Sequence, residues 1–176
     1  MQVYDGTIDH AIDFYLYESK HENNGYIIDN IRYVEPFIKI KRITVNNSAE
    51  IESTIKTNQE SVNIHIEGCL DIAQKMDLIA TFKTTEGIPL ASFSNAVYGG
   101  EARRYEAGDF EMDYNIEIPR YVAKGDINLE VRIYEPRVQN IIEIPICSRL
   151  HFEGSMNSFC RPLNMREEGF LGLTCK

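Results

Sequence analysis

The sequence predicts an all-β protein built as an antiparallel β-sandwich, and three observations carry that expectation. Short runs between Ser61 and Phe152 alternate apolar and polar residues with the two-residue period of a strand. Glycine, proline and Asn/Asp turn residues punctuate those runs at regular intervals. No helical pattern falls between them, and strands spaced this evenly indicate stacked antiparallel sheets.

Taken in order, the elements begin with a short helix. Ile8, Ala11, Ile12, Tyr15 and Leu16 share one helical face within Tyr4 to Tyr17, and Thr7 offers a hydroxyl as N-cap. A helix of about ten residues is marginal alone in water, so it should dock on this domain or on a neighbour. Lys20 to Gly25 has the composition of a linker, which divides the chain into a helix-bearing linker over 1–25 and a β-sandwich over 26–176. Tyr26 to Val34 reads as an irregular segment or an edge strand.

Phe37 to Val45 predicts a strand whose alternation slips by one residue at Lys41-Arg42, the mark of a β-bulge, and Asn46-Asn47-Ser48 closes it. Glu50 to Lys56 suggests a short strand. Ser61 to Glu67 places Val62, Ile64 and Ile66 inward and Asn63, His65 and Glu67 outward. Leu78 to Lys83 follows, then a turn at Glu86-Gly87, a strand over Ile88 to Tyr98, and a charged loop opened by Gly99-Gly100. Phe110 to Ile118 alternates up to Pro119, which ends it. Ile127 to Tyr134 turns Leu129, Val131 and Ile133 inward, and Ile141 to Phe152 supplies a last long strand or pair of strands. The tail, Ser155 to Lys176, is apolar in patches but broken by Pro162, Gly169 and Gly172. It should lay a final strand on this sheet or, by domain swap, on a partner's.

Bulk properties narrow the function. The chain has 176 residues and a formal net charge of −9. Such a surface repels phosphates, so nucleic acid and anionic lipid are disfavoured as ligands. Cys69, Cys147, Cys160 and Cys175 form no C-x-x-C pair and read as separate reduced thiols. Met1 to Asp5 is too polar to open a signal peptide, and no apolar run approaches the roughly 20 residues of a membrane span. The expected location is cytoplasmic.

Catalytic signatures are missing. There is no phosphate loop and no nucleophile elbow. His10, His21, His65 and His151 lack metal-ligand spacing, so no metal and no cofactor is expected. Asp109, Glu111 and Asp113 share one strand face, either as a weak calcium site or, more simply, as a solvated acidic face. Carboxylate pairs can be drawn almost anywhere among 27 acidic residues, so they carry no information about glycoside hydrolysis.

One stretch points to ligand binding. Tyr98-Gly-Gly-Glu-Ala-Arg-Arg-Tyr105 places Arg103 and Arg104 between tyrosines and beside glycines. Guanidinium forks grip anionic or hydroxyl-rich ligands, and tyrosine rings offer faces to sugars. The plainer alternative pairs these arginines with Glu101 and Glu106 on the surface. Arg132 and Tyr134, pointing outward from a strand, form a second candidate surface. With Phe93, these residues make up the glycan-binding set: Phe93, Tyr98, Arg103, Arg104, Tyr105, Arg132 and Tyr134.

Several stretches together resemble a known family. Gly6, Ala11, Ile12, Tyr15 and Leu16 within Tyr4 to Leu16 are similar to the helix that closes the ATPase domain of polysaccharide-export ABC transporters. Ile38 to Val45, Glu86-Gly-Ile-Pro-Leu90, Ile118 to Ile133, and Arg166 to Leu173 resemble successive strands of the β-sandwich that follows it. The chain thus looks like the C-terminal carbohydrate-binding domain of the ATP-binding subunit of an O-antigen exporter. The resemblance implies an immunoglobulin-like sandwich and a homodimer formed by exchanging the C-terminal strand. It also implies an upstream ATPase domain, a membrane-spanning transporter subunit as partner, and a place at the cytoplasmic face of the inner membrane. The implied task is non-catalytic recognition of the non-reducing end of a lipid-linked O-antigen polysaccharide. Each such domain reads a different glycan, so no binding residue carries over by position. The alternative is a structural dimerisation or adaptor sandwich that binds only protein, and a β-sandwich hydrolase is a third.

Overall fold

The computed structural model describes residues 25–156 and Leu163, and the fold there is all-β. A 3-10 turn at Ile27–Asn30 precedes ten strands: β1 (Tyr33–Val34), β2 (Ile38–Val45), β3 (Glu52–Ile55), β4 (Ser61–Leu70), β5 (Gln74–Lys83), β6 (Pro89–Ser94), β7 (Arg103–Tyr105), β8 (Gly108–Glu117), β9 (Gly125–Glu135) and β10 (Gln139–Phe152). The large sheet runs β1-β10-β9-β5-β6; β3 joins β10 in parallel and β7 joins β5. The small sheet is β2-β4-β8, antiparallel throughout.

Alternation decides what each sheet buries. Val62, Ile64, Ile66, Phe110, Met112 and Ile116 face inward from the small sheet, against Met76, Leu78, Ala80, Ile127, Leu129, Val131 and Ile133 of the large one. Each such aliphatic side chain contributes about 1.5–3 kcal/mol by leaving water. Aromatic rings tie the layers together. Tyr105 meets Phe110 edge to face at 5.8 Å, and Phe93 meets Tyr114 at 5.7 Å. Gly68 makes room for this packing, because a Cβ there would come within 2.5 Å of the Phe110 ring.

The bulge expected at Lys41-Arg42 is present: the β2–β4 register shifts between Ile40 and Arg42, which leaves both basic side chains exposed. Asn46 and Asn47 both take positive φ (51° and 65°), the turn for which asparagine is suited. Tyr26 to Val34 holds both an irregular turn and a two-residue edge strand.

Three expectations need correction. β5 begins at Gln74 rather than Leu78, because pairing with β7 buries Gln74 and Met76 on one face of its first half. β6 ends at Ser94, where the chain turns away from β5. Arg103 to Tyr105 is a strand and not part of a loop. The expected N-terminal helix and the swapped C-terminal strand lie outside the described residues. No helix among the described residues is long and apolar enough to cross a membrane.

Candidate functional site

The outer face of the large sheet collects polar and aromatic side chains on three strands, and the register explains how. On β9, Leu129, Val131 and Ile133 point inward, so Glu130, Arg132 and Tyr134 point outward. Antiparallel pairing sets Asp77 beside Tyr134, Ile79 beside Arg132 and Thr81 beside Glu130. On the other side of β5, Ser94 pairs with Ile79 and Ser92 with Thr81. One row of side chains therefore crosses β6, β5 and β9.

Asp77 organises one end of this face. It is 1% exposed, yet it has no cationic partner among the described residues. Neutral donors surround it instead. Ser94 Oγ donates to Oδ2 at 2.7 Å, the Ala96 amide to Oδ2 at 2.8 Å, Tyr134 Oη to Oδ2 at 3.2 Å, and Tyr114 Oη to Oδ1 at 3.2 Å. The location explains the need. β7 pairs with β5 as far as Met76 and β6 pairs from Ile79, so the edge of β5 is open at Asp77 and Leu78. The carboxylate and the Tyr114 hydroxyl, which reaches across from the small sheet, close that break. Burial, then the charge of Asp77, pushes the Tyr114 phenol well above its ordinary pKa, which keeps it a donor. Burial likewise raises the Tyr134 pKa, with the Ser94 hydrogen bond opposing and Asp77 adding.

The loop after β6 is fastened to this point. Ala96 is held by Asp77, and the Gly100 amide donates to the Asn95 carbonyl at 2.8 Å. Asn95 Nδ2 donates to the Glu101 carbonyl at 2.9 Å, so the Asn95 side chain occupies the space a Cβ at Gly100 would need. Between these anchors Tyr98 stands 67% exposed, its hydroxyl 2.6 Å from Ser92 Oγ. The ring is thus presented to solvent while its tip is held, as a stacking platform requires.

A charged chain continues along the face. Glu130, only 12% exposed, takes Lys83 at Oε2 and lies 3.1 Å from Arg132 Nε at Oε1. The Arg132 Nε is buried and forms this ion pair without the alignment of a hydrogen bond. Lys75 and Arg104 are paired across β5 and β7, both exposed, and Arg104 bonds Glu106 at 3.2 Å.

The seven residues expected to bind glycan therefore separate. Tyr98, Arg132 and Tyr134 come together on the outer face. Arg104 lies on the same face, beyond Asp77, with a carboxylate partner. Arg103 is exposed, with its guanidinium 5.2 Å from the Tyr105 ring centroid. Tyr105 belongs to the core: it is buried against Phe110, and burial raises its pKa. Its inward placement follows from its pairing with Gln74, which also faces inward. Phe93 points between the sheets and lines a cleft of about 480 Å³ with Phe82, Ala91, Ile116, Ile118 and Phe152. Sequence reasoning missed Asp77, Lys83, Ser92, Ser94 and Glu130. Strand parity was the available signal, since each shares a face with Arg132 and Tyr134 once the register is known.

No protein-family model matches the chain, and no curated protein matches it. Solved structures do. The C-terminal domain of wzt is similar at a TM-score of 0.58 and 16% identity, covering 89% of this chain and 94% of that one. A Niemann-Pick type C2 protein from Japanese carpenter ant is similar at a TM-score of 0.50 and 9% identity, covering 70% of this chain and 97% of that one. At these identities the likeness is one of fold.

Proposed function

We propose that this chain is a non-catalytic glycan-binding module that recognises the non-reducing end of a lipid-linked O-antigen polysaccharide for ABC-transporter export. The observation that carries the reading is the outer face of the large sheet. It sets the exposed Tyr98 ring together with the Arg132 guanidinium, the Tyr134 phenol and the Ser92 hydroxyl, the chemistry that hydroxyl-rich sugars need. The fold likeness to the C-terminal domain of wzt and the strand motifs that resemble O-antigen exporters support the same reading. The role as a peripheral component at the inner membrane, the homodimer and the upstream ATPase domain belong to this proposal.

The reading as a binder without catalysis has its own support. Both oxygens of Glu130 are taken by Lys83 and Arg132, and both oxygens of Asp77 accept hydrogen bonds. Neither of these two carboxylates is free to shuttle a proton to a sugar; a third on this face, Glu143 of β10, stands directly opposite Arg132.

The test is a calorimetric titration of the purified protein with the host's own O-polysaccharide, intact and with the terminal residue removed. Binding to the intact chain alone is expected. Tyr98→Ala should weaken it by about tenfold without lowering Tm, as loss of one contact of about 1.4 kcal/mol would. Arg132→Ala should weaken it by a similar factor while lowering Tm through loss of the Glu130 pair. Equal binding to trimmed chains would overturn end recognition. Undiminished binding in both variants would move the site off this face.

A further inference from the structure

On the opposite side of the sandwich, the outer face of the small sheet surrounds a histidine with carboxylates. Antiparallel pairing sets His65 of β4 directly opposite Asp113 of β8, and Glu67 opposite Glu111. His65 Nδ1 lies 2.7 Å from Asp113 Oδ1 and 3.6 Å from Glu111 Oε1, while Nε2 lies 2.7 Å from Glu67 Oε1. The ring is 16% exposed and held at both ends.

The proton inventory of this arrangement is informative. A neutral imidazole has one N–H and one lone pair. With the N–H given to Glu67, the Nδ1 lone pair faces two carboxylates, which repels unless a cation stands between them. One such cation is a proton. The other is a metal. One ligand atom each from His65, Glu111 and Asp113 lies within 4.8 Å of the others. That spacing lets small rotations of two exposed carboxylates bring all three to the roughly 2.0–2.2 Å bonds of a zinc-like ion.

We propose that His65 Nδ1, Asp113 and Glu111 form a site for a divalent transition-metal ion such as Zn²⁺, with Glu67 orienting the imidazole from behind. The donor set selects the class of ion: imidazole with carboxylates suits Zn²⁺ and its neighbours, whereas Ca²⁺ and Mg²⁺ take oxygen. The Glu67 contact to Nε2 supplies the carboxylate that metal-bound histidines commonly carry on the far nitrogen. Neighbouring charges do not compete for the site. Arg42 of β2 approaches Glu67 only to 4.0 Å, and Lys41 is engaged with Asp109 at 2.6 Å. An ion held there would staple the edge strand β8 to β4, with water completing its coordination.

The experiment is a titration of the protein with ZnCl₂ at pH 7.5, followed by the His65 ring resonances in NMR and by calorimetry. The expected result is one site per chain at which the His65 ring signals shift. His65→Gln and Asp113→Asn should each abolish that site, and Glu67→Gln should weaken it by roughly 10–100-fold, as loss of an outer-shell partner does. His151→Gln, at the other histidine–carboxylate pair among the described residues (2.6 Å to Asp126), should leave it unchanged. Unmoved His65 signals at millimolar Zn²⁺ would overturn the proposal, as would Zn²⁺ binding of equal strength in His65→Gln. The wild-type ring signals alone decide the matter should a variant fail to fold.

Discussion

The two outer faces of this sandwich are built by the same rule of alternation and arrive at opposite chemistries. The large sheet presents Tyr98, Ser92, Arg132 and Tyr134 with Lys83, Lys75 and Arg104, an aromatic surface whose cations Lys83, Arg132 and Arg104 are matched by Glu130, Glu106 and Glu143. Its one fully buried carboxylate, Asp77, is enclosed by neutral donors. The small sheet presents Glu67, Glu111 and Asp113 around His65, with Asp109 and Glu117 farther along β8, and there Asp109, Glu111, Asp113 and Glu117 stand in the open. The difference teaches where negative charge is tolerated. Alone under a loop it must be saturated with hydrogen bonds, whereas in an open cross-strand cluster water carries it and a cation only adds to that.

The largest expected effect breaks the first half of that contrast. Asp77→Ala removes four hydrogen bonds to a buried carboxylate and takes the Asp77 acceptor from the Tyr114 hydroxyl and the Ala96 amide, while Ser94 Oγ keeps Tyr134 Oη at 3.0 Å. A loss of about 3 kcal/mol in urea unfolding is expected, with a matching loss of order in the loop that holds Tyr98. A cost below about 1 kcal/mol would mean that water replaces the carboxylate and that Asp77 does not hold the face together.

A smaller effect tests the interior beneath the acidic face. Gly68→Ala drives a methyl into the Phe110 ring and the Lys39 carbonyl, with no flexible side-chain end to yield. Overpacking of this kind costs about 1–3 kcal/mol. A neutral result in thermal unfolding would show that the Phe110–Tyr105 ring pair has slack.

The smallest effect sharpens the second half. The His65 pKa is raised in the folded protein, so its contribution to stability is fully present below the ordinary value of about 6.5. It is lost as pH rises through the folded-state pKa. The stability difference between wild type and His65→Gln, measured in chelator by urea unfolding at several pH values, should therefore shrink with rising pH. Adding Zn²⁺ should restore it at the alkaline end, where the proton no longer competes. A pH-independent difference would mean that His65 is not clamped by its protonated form.

Legibility varied across the molecule for reasons that are physical. Strands with a clean period of two, such as Ser61 to Glu67 and Phe110 to Ile118, could be read directly, because one face must leave water and the other must not. The bulge at Lys41-Arg42 was legible for the same reason, since a slip in alternation leaves a trace. The first half of β5 was not. Gln74 and Asp77 are polar, and they are buried by β7, by the loop after β6 and by the Tyr114 and Tyr134 hydroxyls. Tyr105 misled for the converse reason. Its setting among charged residues suggested a loop, while its pairing with Gln74 turned it into the core.

By itself, then, the sequence determined the all-β class, most of the strands and which side chains of each face solvent, because these follow from local alternation and turn chemistry. Tertiary structure decided which strands are neighbours. Register joined Ser92, Arg132 and Tyr134 into one surface, to which the Ser92 hydroxyl holds Tyr98, and moved Phe93 and Tyr105 out of it. It also set His65, isolated along the chain, opposite Asp113, 48 residues away. Sequence spacing cannot encode such a pairing, since a strand's partner is fixed by the long-range burial that aligns whole sheets.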